Sequence, residues 1–72
     1  MRIVLNGEAR DVPGAPTVAE LLASLAIDAR LVAVEVNRRV VKRDRYGETR
    51  LSEGAEVEIV AFVGGGSRPT RS

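Results

Sequence analysis

The stretch that most restricts the fold is the last apolar run, EVEIVAFV, at residues 56–63. Strand alternation places Val57, Ile59, Ala61 and Val63 on one face and Val60 and Phe62 on the other. A strand that is fairly apolar on both faces lies centrally in a sheet, or carries a binding surface on its outer face. In a mixed sheet with one helix, this final strand is expected to find a place between strands made earlier, a step that rests partly on knowledge of such folds. It then runs directly into Gly64-Gly65-Gly66, and the chain continues as SRPTRS.

The elements before it can be read from local pattern. RIVLNGEARDV is a hairpin: Ile3, Val4 and Leu5 are strand formers, and Asn6-Gly7 is the dipeptide favoured in a two-residue type I′ turn. Val12 ends the second strand, and PGAP breaks the pattern. Thr17-Val18-Ala19-Glu20 is a capping box, with Pro16 and Leu21 at the positions of a hydrophobic staple. Val18, Leu21, Leu22, Leu25 and Ala26 then form one apolar helix face, and Asp28-Ala29-Arg30 ends the helix. Val32, Val34 and Val36 alternate with Ala33 and Glu35 as a half-buried strand. Asn37-Arg38-Arg39 is a turn and Val40-Val41 a short fourth strand. KRDRYGET is a charged surface loop, and Ser52-Glu53-Gly54 is the turn that leads into the last strand, Glu56 to Val63.

The order is β-β-α-β-β-β. One helix on one mixed sheet is a two-layer α+β arrangement. At 72 residues the chain is a single domain. A domain of this size buries only about 60% of the surface its unfolded chain exposes. Periodicity alone leaves the strand order open. A hairpin, a crossing helix and a returning hairpin correspond to the β-grasp, or ubiquitin-like, roll, with one main helix packed on one face of the sheet.

Composition removes most chemistry. The chain has no cysteine and no histidine. Disulfides, thiolate metal sites and thiol catalysis are excluded, and the usual general base and zinc ligand are missing. A net charge of +1 gives no argument for nucleic acid or acidic membranes. No run approaches the roughly 20 apolar residues of a membrane helix. Met1 leads straight into a strand, so no secretory leader is expected, and the expectation is a soluble, cytoplasmic protein. Thr17 is accounted for by capping. Glu56 and Glu58 share a strand face and read as solvated edge residues, with a charged docking surface as the alternative. No catalytic constellation emerges, so the chain is not expected to be an enzyme, nor to hold a metal or a cofactor.

The glycines remain. VGGG resembles part of a phosphate loop, but it lacks the following Lys-Ser/Thr and the following helix. A flexible linker is one reading, since Gly and Ser are usual in linkers. The other uses the missing side chain. An extended diglycine can thread a channel that excludes any residue with a Cβ. Three residues beyond Val63 span at most about 10–11 Å. A carboxylate on such an arm reaches another protein's active site while the folded domain stays outside.

The order and spacing of RIVLNGEARDV, TVAELLASL and VAVEVNRRVVKRDRYGETRLSEGAEVEIVAFVGGG resemble the ThiS family of sulfur carriers, small ubiquitin-like proteins of thiamine biosynthesis. The resemblance runs from Met1 to Gly66. It implies a carrier domain at residues 1–66 with a flexible arm of Gly64, Gly65 and Gly66. It also implies a cycle. An E1-like, ThiF-like adenylyltransferase uses ATP to adenylate the terminal glycine carboxylate, at Gly66 (or Gly65). A sulfur donor converts it to a thiocarboxylate, and a ThiG-like thiazole synthase takes the sulfur. The carrier is then a protein cosubstrate, with ATP used by the activating enzyme. Val60 and Phe62 are candidates for partner contact from patterning alone.

Two departures accompany the resemblance. Residues 67–72 are expected to be a disordered extension that must be removed, by a processing protease, before Gly66 can be adenylated. Tyr46-Gly47 stands where the family often shows Trp-Ala, and reads as loop variation. Two alternatives stand beside the carrier of thiamine synthesis. One is a MoaD-like carrier for molybdopterin or another pathway; the other is a β-grasp binding module that never carries sulfur.

Overall fold

The Asn6-Gly7 turn has the backbone its sequence requires, with φ of 49° and 86°. Both values are positive, as a type I′ turn demands. It joins β1 (Arg2–Leu5) to β2 (Glu8–Asp11) in antiparallel register, with Val4 opposite Ala9. This geometry comes from a computed structural model, which describes residues 1–62. The Val12 N–H still donates to the Met1 carbonyl at 2.8 Å, so pairing outlasts β2 by one residue.

Helix α1 (Val18–Ser24) begins as the capping box predicts. The Glu20 N–H donates to Thr17 Oγ1 at 3.1 Å, and the Thr17 N–H donates to Glu20 Oε1 at 2.9 Å. The next two donors are satisfied from the charged loop: Val18 N–H reaches the Thr49 carbonyl and Ala19 N–H the Tyr46 carbonyl, at 2.8 and 2.9 Å. The first turn is thereby left without orphan donors.

The helix stops earlier than its apolar face suggested. Ala26 takes a left-handed φ of 59°. Its N–H donates to the Ala23 carbonyl at 3.0 Å, and the Ile27 N–H donates to the Leu22 carbonyl at 2.9 Å. That is a Schellman closure with alanine where glycine is usual. Ala26 is therefore exposed and off the helix face, while Leu21 and Leu22 are buried. Asp28 caps a separate 3₁₀ turn at Ala29–Leu31, accepting the Arg30 N–H at 2.9 Å.

Strands β3 (Val32–Val36) and β4 (Arg39–Val41) form the second hairpin, and β5 is Glu56–Ala61. The sheet order is β2-β1-β5-β3-β4. As expected, the last strand is the central one. It runs parallel to β1, with Val4 opposite Glu56, and antiparallel to β3, with Val34 opposite Ile59. The core lies between the sheet and α1: Ile3, Val34 and Val57 from the strands meet Val18, Leu21 and Leu22 from the helix. Tyr46 corrects the reading of KRDRYGET as a surface loop. Its side chain is buried among these residues, and its hydroxyl donates to the Val32 carbonyl at 3.3 Å. Among the described residues no helix is long and apolar enough to cross a membrane.

Candidate functional site

The site is built on β5, so what holds β5 comes first. Asn6 and Asn37 each sit in a hairpin turn with positive φ, 49° and 52°. Each turns its carboxamide onto β5. Asn37 takes the beginning of the strand: its Oδ1 accepts the Glu56 N–H at 3.0 Å, and its own N–H donates to the Glu56 carbonyl at 2.7 Å. Asn6 takes the second half, two residues before the strand ends at Ala61. Its Oδ1 accepts the Ile59 N–H at 2.8 Å, and its Nδ2 donates to the Ile59 carbonyl at 3.2 Å. The paired register of β1 with β5 ends at Leu5 and Val57. The Asn6 side chain thus supplies the next rung of a ladder whose backbone has already turned away.

Beyond Ile59 the strand is held from the β3 side. Ala61 lies opposite Val32, and the Phe62 N–H donates to the Leu31 carbonyl at 2.8 Å. Odd-numbered residues of β5 face the helix, where Val57 is buried. Glu56, Glu58, Val60 and Phe62 face the other way, on the side of the sheet that α1 does not cover. Val60 and Phe62 remain 45% and 41% exposed in the centre of the sheet. Val60 is paired with Ala33, and the exposed Leu31 lies at the same end. Together they form an open apolar patch where β5 leaves the sheet.

The other end of this face is acidic. Glu58 lies directly opposite Glu35 across β3 and β5. A shallow depression here is lined by Val4, Gly7, Glu35, Arg38, Glu56 and Glu58. Arg38 approaches Glu56 at 4.0 Å. Glu56 and Glu58 are exposed, but on the central strand and not at an edge as first read. Among the described residues, no group of three acidic, histidine or cysteine side chains is placed to hold a metal ion.

Of the residues singled out in the sequence, Val60 and Phe62 are together on the outer face, as patterning indicated. Gly64, Gly65 and Gly66, with the extension at 67–72, lie outside the described residues. The two asparagine rungs were missed. Asn6-Gly7 was read only as a turn, and the Ile59 it grips is 53 residues away.

Five mixed strands in this order, one helix on one face and a central last strand define a ubiquitin-like β-grasp protein. The chain belongs to the ThiS family, which matches residues 3–66. It is 42% identical over 50 residues to the sulfur carrier protein ThiS of Bacillus subtilis (strain 168), covering 69% of this chain and 76% of that one. The crystal structure of the thiamine biosynthesis protein (ThiS) of Geobacter metallireducens superposes with a TM-score of 0.80. It is 36% identical, covering 92% of this chain and all of that one. The chain is also 45% identical over 67 residues to a thiazole synthase of Paramagnetospirillum magneticum, covering 93% of this chain. It spans about a fifth, 21%, of that relative's length.

Proposed function

We propose that this chain is the sulfur carrier of thiamine thiazole synthesis, acting as a protein cosubstrate and not as a catalyst. The observation that carries the reading is the family match, which runs through β5 and closes on Gly66. The geometry supports it. The last strand occupies the centre of the sheet, presents Val60 and Phe62 to the outside, and leads toward the glycines. A partner that docks on this patch is placed to receive whatever follows Phe62.

In this reading a ThiF-like adenylyltransferase docks on the patch in the cytoplasm. A carboxylate oxygen of Gly66 attacks the α-phosphorus of ATP and pyrophosphate leaves. Hydrosulfide from a sulfide-level donor then attacks the acyl carbon, AMP leaves with the loss of the sulfur's proton, and a thiocarboxylate remains. A ThiG-like thiazole synthase consumes the sulfur. The thiazole synthase of Paramagnetospirillum magneticum, which contains a segment like this chain, favours that acceptor over a molybdopterin pathway. The chemistry requires a free carboxylate, so a protease removes residues 67–72 first.

The test is activation of a chain ending at Gly66. Offered the adenylyltransferase, ATP and a sulfur donor, it should gain the mass of one oxygen-to-sulfur exchange at its last residue. The 72-residue chain should gain nothing. Failure of the shorter chain to be adenylated sinks the reading in favour of a β-grasp binding module.

A further inference from the structure

We propose that Asn6 is a positioning residue for activation: its carboxamide fixes the second half of β5 and so holds in place the Val60 and Phe62 patch on which the activating partner docks. The proposal rests on the sulfur-carrier reading. Its structural half can be measured independently of that reading.

The argument begins with where the β1 side of β5 runs out of partners. Backbone bonds from β1 reach Ala55 and Val57, through the Val4 and Asn6 N–H groups at 2.9 and 2.8 Å. The Ile59 N–H and carbonyl point the same way, one rung further on. No backbone remains there to meet them, because the chain has entered the Asn6-Gly7 turn. The Asn6 side chain meets both at once. A carboxamide has one acceptor and one donor in a plane, the same pair a peptide group presents to a strand. No carboxylate, hydroxyl or aliphatic side chain offers that pair.

Past Ile59, among the described residues, β5 is bonded only toward β3. Asn6 is therefore the last tie on one whole side of the strand before Val60 and Phe62. Without it, four described residues, Ile59 to Phe62, have a free edge on the β1 side and are held only from the β3 side. Local opening there needs few contacts to be lost. Its consequence is specific: the patch of Val60 and Phe62 is no longer presented in one orientation. A partner must then order them on binding, which lowers the efficiency of the encounter.

Asn37 is a built-in control. It is also a turn asparagine of positive φ that bonds β5 through its side chain, but at Glu56, the end furthest from Phe62. Replacing either with glycine keeps a turn that tolerates positive φ and removes the side-chain bond. A merely structural role predicts lost stability alone, with activation unchanged in both variants wherever they are folded.

The experiment compares Asn6→Gly and Asn37→Gly in two assays. Amide exchange in the full chain should show Ile59 exchanging about tenfold faster in Asn6→Gly and unchanged in Asn37→Gly. Activation is read as ATP-dependent pyrophosphate release by the ThiF-like adenylyltransferase. It uses chains ending at Gly66, which keep every core residue. At a temperature where all variants are folded, kcat/KM should fall about tenfold in Asn6→Gly and stay at the wild-type value in Asn37→Gly. Asn6→Asp, which keeps the acceptor and loses the donor, should fall between. Equal losses in the two glycine variants, or none in either, overturn the proposal. If the unmodified chain is not activated at all, the carrier reading fails. Exchange at Ile59 then still decides whether Asn6 holds the strand end, and unaltered protection in Asn6→Gly overturns that too.

Discussion

The buried Tyr46 hydroxyl donates to the Val32 carbonyl at 3.3 Å, tying the charged loop to the first residue of β3. The ring fills the core beside α1, while the Tyr46 carbonyl accepts from the helix N-terminus. The two roles separate by substitution. Tyr46→Phe should cost no more than about 1 kcal/mol, the worth of one long hydrogen bond. Tyr46→Ala should cost about 3–5 kcal/mol, the range for truncating a buried aromatic. Urea unfolding of the two variants checks both. Equal losses would mean the ring contributes little to the core.

Ala26 holds a left-handed backbone at the helix end, where a Cβ is unfavourable. Ala26→Gly should therefore stabilise the domain by about 0.5–1 kcal/mol, after the entropy that glycine adds to the unfolded chain is subtracted. Thermal unfolding measures this directly. A fall in Tm would show that the Schellman closure does not limit stability.

Asp28 gives a sign for acid behaviour. The Arg30 side chain donates to its carboxylate, the Arg30 backbone N–H adds a second bond, and together they lower its pKa from 3.8 to about 2. A carboxyl with a depressed folded-state pKa stabilises the fold above its unfolded value and loses that contribution as pH falls through the folded one. The loss should lie between roughly pH 4 and pH 2 and be small, because the pair is exposed and screened by salt. Asp28→Asn should flatten the stability profile in that window and leave the rest unchanged. An unaltered slope between pH 4 and 2 would assign the acid sensitivity elsewhere.

Phe62 and Val60 are expected to matter for partners and not for the fold. Phe62→Ala and Val60→Ala remove side chains that are nearly half exposed. Each should change unfolding free energy by no more than about 1 kcal/mol. If the patch receives the adenylyltransferase, Phe62→Ala should lower kcat/KM for activation of the Gly66-terminated chain by tenfold or more, as truncation of a central interface aromatic does. Wild-type efficiency in both variants would move the docking surface off this face.

Much of the fold was legible because its signals are local. The Asn6-Gly7 turn, the Thr17–Glu20 capping box and the alternation of β3 each lie within a few residues. The two apolar faces of EVEIVAFV left a central place or an outer binding surface open, and the central place rested in part on knowledge of the fold. The strand is central and its outer face stays exposed. The helix end was misread because its marker, a glycine, is replaced by Ala26, and only the backbone shows the left-handed residue. Tyr46 was misplaced because five of the eight residues in KRDRYGET are charged, which concealed the one ring anchored in the core. The asparagine rungs join residues 53 and 19 positions apart, and no local pattern announces them. The threading role given to the glycines came from their missing side chains, and the thiocarboxylate chemistry from family resemblance.

The central strand is also the last to be synthesised. A ribosome that has exposed only the first 55 residues has produced two hairpins and a helix with an empty slot between β1 and β3. The core cannot close, since Val57 is absent and β1 and β3 have nothing to pair with across the gap. Folding must wait for contacts between opposite ends of the chain, which are slow to form. A folded outer face therefore certifies that translation has passed Phe62. An enzyme that recognised that face would pass over any chain cut short before β5.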